Sequence, residues 1–258
     1  MQLLEAVSDR FFEITQNSPA FLHFDAIGFH RLANGKNGIL ESVRNLFSLV
    51  KNKGGNLLVP VYSYSYTKNE TYSMKESPSD LGRMSDYLRT VAADLRTTDA
   101  IFSYLAFTNS ISQEFLSPLD YETFGDKSLI ASVFNSDGSL LSVGGKLHYC
   151  TEIHFLERML QASYRINKIF PGQIKTLDDT IHTQSITYYC RDLEFHAKND
   201  FVVSFEKLFA DMTNDGLIES HIIDGTIEIS GVKFQRVFSF LKKKLLLDQY
   251  YLLKKCSI

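Results

Sequence analysis

FLHFDAIGFHRLANGKNGILESVRNLFSLVKNKGGNLLVPVYSY (21–64) holds a strand, a loop, a helix and a second strand in one run. FLHFDAIGF (21–29) is almost wholly apolar, and NGKNG (34–38) follows it as a loop. In ILESVRNLFSLVK, Leu40, Val43, Leu46, Phe47 and Val50 recur at helical spacing and share one face. KGG (53–55) ends that helix, because glycine adopts the terminating conformation without a Cβ penalty. NLLVPVYSY (56–64) is nearly continuous in apolar residues, which suits a strand covered on both faces. Strand, helix and strand within roughly 45 residues make a βαβ unit, normally parallel and right-handed. The fold class is therefore α/β.

Upstream, residues 1–17 read as an amphipathic helix with Leu4, Val7, Phe11 and Ile14 on one stripe, broken at Asn17, Ser18 and Pro19. Downstream, YSYSYTKNETYSMKESPS (62–79) is polar and aromatic without a period, and its tyrosines favour an ordered loop lining a site. GRMSDYLRTVAADLR (82–96) is expected as a helix and AIFSYLAF (100–107) as a strand. LIASVFNSDGSLLSVGG (129–145) reads as a hairpin around Asp137-Gly138. TEIHFLERMLQASYR (151–165) reads as a helix, and residues 181–195 and 221–238 as strand-like pieces. FQRVFSFLKKKLLLDQYYLLKK is expected as one long helix or a helix pair. No repeat or linker divides the chain, so one domain with a β-rich insertion is expected over residues 1–258.

Composition narrows the function classes. The 258 residues are 44% hydrophobic and 22% charged, which is ordinary for a globular protein. A net charge of −3 disfavours nonspecific nucleic-acid binding. Cys150, Cys190 and Cys256 have neither an even count nor metal-like spacing, which fits a reducing compartment rather than a disulfide framework or structural zinc. The N-terminus carries Glu5, Asp9 and Arg10 and shows no secretory signal, and 18 apolar residues never run together. A soluble, cytoplasmic protein without membrane partners is expected, with room left for a homo-oligomer.

CTEIHFLE (150–157) is the strongest chemical constellation. With Thr151 as the N-cap, His154 falls in the first helical turn and Glu157 lies on the same face. The positive end of the helix dipole disfavours an imidazolium there, so His154 stays neutral, as a general base must. Glu157 would orient the ring and stabilise the imidazolium formed on proton transfer. The same spacing also describes a surface histidine beside a surface glutamate, and spacing alone leaves both open. Cys150, just before the helix, would gain thiolate character there, yet a small buried apolar residue is the commoner state of a free cysteine. No dinucleotide fingerprint, P-loop, HExxH or GxSxG occurs. His23, His30, His148, His182, His196 and His221 are unclustered, so no metal site is assigned. Lys242, Lys243, Lys244, Lys254 and Lys255 are read as a solvated helix face.

PVYSYSYTKNETYSMKESPSDLGRMSDYLR (60–89) resembles the signature stretch of the aminoglycoside 3-N-acetyltransferase family, with Pro60, Pro78, Ser79, Gly82, Ser85 and Arg89 at the matching positions. HFDAIGF, KGGNLLVP, Phe124-Gly125 with Ser128, LLSVGG and Thr151-x-x-His154-x-x-Glu157 continue the resemblance in order over about residues 20–195. It implies a three-layer α/β/α sandwich with a β-rich antiparallel insertion. It implies transfer of an acyl group from acyl-coenzyme A to an amine, with coenzyme A a co-substrate and no tightly bound cofactor. His154 would be the base and Glu157 its partner, with Thr151 beside them. His23, Asp25 and Gly28, in the 23–29 turn, would help seat coenzyme A.

The chain departs from the antibiotic-modifying members. Asp99-Ala100 and Phe102 stand where they carry a His-Pro and a second histidine, and Phe24 and Asp25 replace paired serines. With YRINKIFPG (164–172) and TYYCRDLE (187–194), the chain looks more like the branch that acylates dTDP- or UDP-linked amino deoxysugars for surface polysaccharides. The expected reaction is direct transfer to the amine of such a sugar. Tyr62, Tyr64 and Tyr66 would offer flat faces to a sugar or nucleobase. Asp99 or Asp25 would hold the substrate ammonium, although either is equally read as a turn aspartate. An aminoglycoside acetyltransferase is the alternative, and a noncatalytic carbohydrate-binding or scaffold protein the second alternative.

Overall fold

In the computed structural model, which describes residues 2–24, 38–92, 95–108, 122–144 and 147–255, the opening run folds as expected. Helix α1 (Gln2–Thr15) leads into β1 (Ala20–Phe24), α2 (Ile39–Asn52) and β2 (Leu57–Pro60). β1 and β2 are parallel neighbours, with Ala20 beside Leu57 and Phe21 beside Leu58. Strand β5 (Ser139–Val143) lies parallel on the other side of β1, placing Ser142 beside His23. Three further strands extend this core antiparallel: β4 (Tyr104–Phe107) along β2, β10 (Ile227–Lys233) along β5, and β9 (Glu219–Ile223) along β10. The sheet runs in the order β4-β2-β1-β5-β10-β9.

Alternation along these strands divides the apolar residues between two faces. Ala20, Leu22, Leu57, Val59, Leu141 and Ile229 pack with Val7, Phe11 and Ile14 of α1 and Val43, Leu46 and Val50 of α2. α3 (Arg83–Val91) joins that layer through Leu88. Phe21, Leu58, Tyr104, Leu140 and Val232 face the other way. There they meet α4 (Leu129–Asn135), α5 (Ile153–Met159), α7 (Glu206–Asn214) and α8 (Phe234–Leu247). The result is the three-layer α/β/α sandwich. Its β-rich insertion is the antiparallel pair β6 (Arg165–Lys175) and β7 (Ile181–Arg191), with β3 (Tyr72–Ser73) parallel to β6. A short α6 (Leu193–Asn199) and β8 (Phe201–Val203) follow, and β8 pairs with β11 (Leu253–Lys255).

Several boundaries differ from the sequence expectation. Asp137-Gly138 joins α4 to β5 and is not a hairpin tip. Ser128 Oγ accepts from Ala131 N–H and caps α4, whose Ile130, Ala131, Val133 and Phe134 are buried. Asp137 takes a left-handed conformation (φ 53°), and a Cβ at Gly138 would lie 2.6 Å from the Val133 carbonyl oxygen. Turn chemistry was legible there, but helix and strand partners were not, since β5 pairs with β1. The helix expected over 151–165 ends at Met159, where Gln161 turns left-handed (φ 55°) and frees Tyr164 and Arg165 for the insertion. The C-terminal segment is one helix followed by a strand, not a helix pair. The 82–96 helix stops at Val91, and the 100–107 strand begins at Tyr104. Asp25 and Gly28 lie outside the described residues. No helix among the described residues is long and apolar enough to cross a membrane.

Candidate active site

α5 is a two-turn helix with Ile153, Phe155 and Leu156 buried against the core, which leaves His154 on the cleft side. Thr151 does not cap it through its side chain: Glu152 occupies the N-cap position in helical conformation, without a side-chain capping bond. Thr151 instead lines the cleft together with His154. Glu157 is fully buried, so this is not a pair of surface residues. His154 Nδ1 lies 2.6 Å from Glu157 Oε2, and Tyr164 donates its hydroxyl to Glu157 Oε1 at 2.9 Å. Arg165 Nε stands 2.7 Å from Glu157 Oε2, and its Nη2 stands 2.6 Å from His154 Nδ1. The rings of Phe205 and Phe124 flank the imidazole, with centroids 5.3 and 5.8 Å away.

These contacts fix the charge states. Burial alone would raise the Glu157 carboxyl, but Arg165 and His154 hold it below the usual carboxylate value. Burial first, and the Arg165 charge second, push His154 below its ordinary value against the pull of Glu157. The imidazole is neutral near pH 7. The expectation of neutrality holds in direction, with burial and the Arg165 guanidinium as its causes.

His154 opens on a cleft of about 480 Å³. Tyr64, Phe102, Tyr149, Tyr188 and Phe205 supply aromatic walls, and Arg165, Arg191, Lys254, Glu206 and His148 supply polar ones. Of the three tyrosines expected to face a substrate, only Tyr64 lines this cleft. Tyr62 is 2% exposed and bonds to Tyr104 and Glu152 instead. Tyr66 is 1% exposed, with its ring against Gly172, where a Cβ would come within 2.8 Å. The period-free stretch could not show which tyrosines the β6–β7 insertion covers. Asp99 lines a separate pocket of about 20 Å³, and its Oδ1 accepts from Ile101 and Phe102 N–H at 2.8 Å each. It acts as a turn aspartate and does not face the His154 cleft.

His23, expected near coenzyme A, points inward. Its Nε2 lies 2.8 Å from Glu152 Oε2, while Tyr104 and Tyr62 donate to Glu152 Oε1 at 2.7 and 3.2 Å. Cys150 completes this buried group beside His23, not beside His154. Burial raises its thiol, which removes the grounds for a Cys150/His154 nucleophilic pair. Burial would lower His23, yet its contacts with Cys150 and Glu152 lift it well above the ordinary value. The residues that sequence reasoning missed are Arg165, Tyr164, Arg191 and Tyr188. Arg165, Tyr188 and Arg191 stand on the insertion and Tyr164 directly precedes it, and no local period places an insertion over a helix.

The fold is that of known aminoglycoside acetyltransferases. The aminoglycoside acetyltransferase AAC(3)-IIb superposes with a TM-score of 0.72 at 13% identity, covering 95% of this chain and 97% of that one. AAC-VIa bound to sisomicin gives 0.71 at 14% identity, covering 94% and 95%. AAC-IIIb in binary complex with CoASH gives 0.67 at 16% identity, covering 93% and 94%. No curated relative matches the chain. Residues 22–244 match the family model described as aminoglycoside 3-N-acetyltransferase, and the chain belongs to that family. It is an acyltransferase that uses coenzyme A, which displaces the reading as a noncatalytic scaffold.

Proposed function

We propose that one domain spanning residues 1–258 transfers an acyl group from acyl-coenzyme A directly to the amine of a nucleotide-linked amino sugar. An ammonium cannot attack a thioester until it loses a proton. His154 Nε2 takes that proton as the nitrogen adds to the carbonyl, and Glu157 stabilises the imidazolium. Coenzyme A then leaves as the thiol, with the proton returned to its sulfur. No acyl-enzyme is needed.

The charge of the cleft carries the choice of acceptor. Among the described lining residues, Arg165 is paired with buried Glu157 at 2.7 Å and Lys254 with Glu206 at 3.0 Å, which leaves Arg191 as the cation of the lining without a carboxylate partner among the described residues. A diphosphate finds donors there. A polycation would need an acidic wall to concentrate it. Tyr64 and Tyr188 offer ring area for the sugar or base.

A second reading, transfer to an aminoglycoside, draws on the solved relatives, which include complexes with apramycin, a gentamicin and sisomicin. Thiol release measured with UDP- and dTDP-linked amino sugars beside gentamicin and apramycin separates the two. Turnover with the nucleotide sugars and none with the drugs is expected. The reverse pattern refutes the first reading and establishes the second. Calorimetric titration should show acyl-coenzyme A binding; none at millimolar concentration would remove both.

A further inference from the structure

The ladder of the insertion sets two arginines directly across from each other. Arg165 of β6 and Arg191 of β7 are register partners, and directly opposed residues of an antiparallel pair send their side chains to one face. Like charges so placed repel, and the pair is destabilising unless something compensates it. Arg165 is compensated: its side chain is 1% exposed, its Nε stands 2.7 Å from Glu157 Oε2, and its Nη1 donates to the Tyr189 carbonyl. Arg191 is exposed, and among the described residues no ion pair engages it.

The backbone around Arg191 is fixed, and its neighbour is committed elsewhere. Arg191 is the last residue of β7. Asp192 follows it and donates its N–H to the Tyr164 carbonyl at 3.1 Å. The Asp192 carboxylate caps α6, accepting from Phe195 N–H at 3.0 Å, and so holds the start of that helix rather than the guanidinium beside it. Arg191 lines the cleft on which His154 opens, together with Tyr64 and Tyr188. Burial pushes the Tyr188 hydroxyl up to about 12, and the charges of Arg165 and Arg191 pull against it, so both guanidinium groups stand within electrostatic reach of that ring. Glu206, the one carboxylate among the described lining residues, is held by Lys254 at 3.0 Å. A cation entering the cleft therefore meets no free carboxylate among those residues, while an anion meets a free guanidinium. The planar fork of an arginine matches two phosphate oxygens at once. An anion bound there would also relieve the repulsion between Arg191 and Arg165.

We propose that Arg191 is a specificity-determining residue for the transfer: from the end of β7 it takes a phosphate of a nucleoside diphosphate while the sugar amine lies at His154. This rests on the nucleotide-linked acceptor proposed above and names the residue that selects it. Arg191 sets the sign of charge that the cleft accepts. It acts on binding and not on proton transfer, so its effect falls in KM.

The test starts with calorimetric titration of uridine diphosphate into the parent and into Arg191→Gln. Coenzyme A carries a nucleoside diphosphate as well, so desulfo-coenzyme A is titrated alongside. Uridine diphosphate should bind the parent at millimolar concentration or below and Arg191→Gln about tenfold more weakly, as loss of one two-pronged charged contact implies. Desulfo-coenzyme A should bind both alike. A loss confined to desulfo-coenzyme A, an equal loss of both ligands, or undiminished binding of uridine diphosphate overturns the proposal. In turnover, Arg191→Gln should raise KM for a UDP-linked amino sugar about tenfold with a much smaller effect on kcat. It should also narrow the advantage of that substrate over the same amino sugar without its nucleotide. Arg191→Lys keeps the charge without the fork and should fall between parent and Arg191→Gln, and Arg191→Glu should fall below both; a series without that order overturns the role. Should Arg191→Gln fail to fold, Arg191→Lys carries the comparison in its place. Turnover of nucleotide sugars with KM unchanged in the variants overturns this inference and leaves the proposed function standing. Absence of turnover with every nucleotide sugar counts against the proposed function, and the uridine diphosphate titration then decides this inference alone.

Discussion

Glu157→Gln exchanges a buried carboxylate for a neutral group of the same shape. Glu157 is fully buried and contacts His154 Nδ1 at 2.6 Å, Arg165 Nε at 2.7 Å and the Tyr164 hydroxyl at 2.9 Å. Removing one partner of a buried ion pair costs about 3–5 kcal/mol, because the remaining charge is stranded. The amide oxygen still accepts, so the lower figure applies, and about 3 kcal/mol lowers Tm by about 6–12 °C in a chain of this size. The protein should remain folded, since domain stabilities are about 5–15 kcal/mol. Glu157 is the stronger of the two carboxylates that pull the His154 value up, so its loss leaves burial and Arg165 opposed only by the more distant charge of Glu152. The acid limb of the rate profile, already below pH 6.5 in the parent, should move further down. The imidazolium also loses its stabilising charge, and kcat at pH 7 should fall roughly 10–100-fold, about 1.4–2.7 kcal/mol of barrier. Thermal unfolding and a pH series of thiol-release rates measure all three quantities. An unchanged Tm together with an acid limb that moves up would show that Glu157 does not hold the charge assigned to it.

His154→Ala should lower kcat by roughly 10²–10⁴, the share of general-base catalysis, and leave calorimetric binding of acyl-coenzyme A unchanged; retention of more than about a tenth of kcat refutes the base assignment. Gly172→Val places atoms against the Tyr66 ring, where a Cβ alone would reach 2.8 Å, and should cost about 1–3 kcal/mol in urea unfolding, whereas a neutral result would mean the insertion packs elsewhere. The His23–Glu152 pair should stabilise the fold within a pH window. The lowered Glu152 contributes above pH 4.5, and the raised His23 contributes below pH 6.5 and loses its contribution as pH climbs through its folded value. The urea stability difference between parent and the double variant His23→Gln, Glu152→Gln should peak between those limits, and a flat difference refutes the ion pair.

Local pattern determined much of this protein. The spacing of Val43, Leu46, Phe47 and Val50 and the apolar runs on either side were enough for a βαβ unit, because period and turn chemistry are properties of neighbouring residues. The same holds for His154 and Glu157, which one helical turn brings to a single face. Tertiary structure decided the rest. Arg165 reaches His154 only because the chain turns at Gln161 and folds the insertion back over α5. His23 meets Glu152 across 129 residues of sequence. Which of Tyr62, Tyr64 and Tyr66 faces the cleft depends on what β6 and β7 cover. The protonation state of the base follows from burial and from a cation on another element, and a buried charge is compensated by whatever the fold sets beside it, wherever in the chain that group lies.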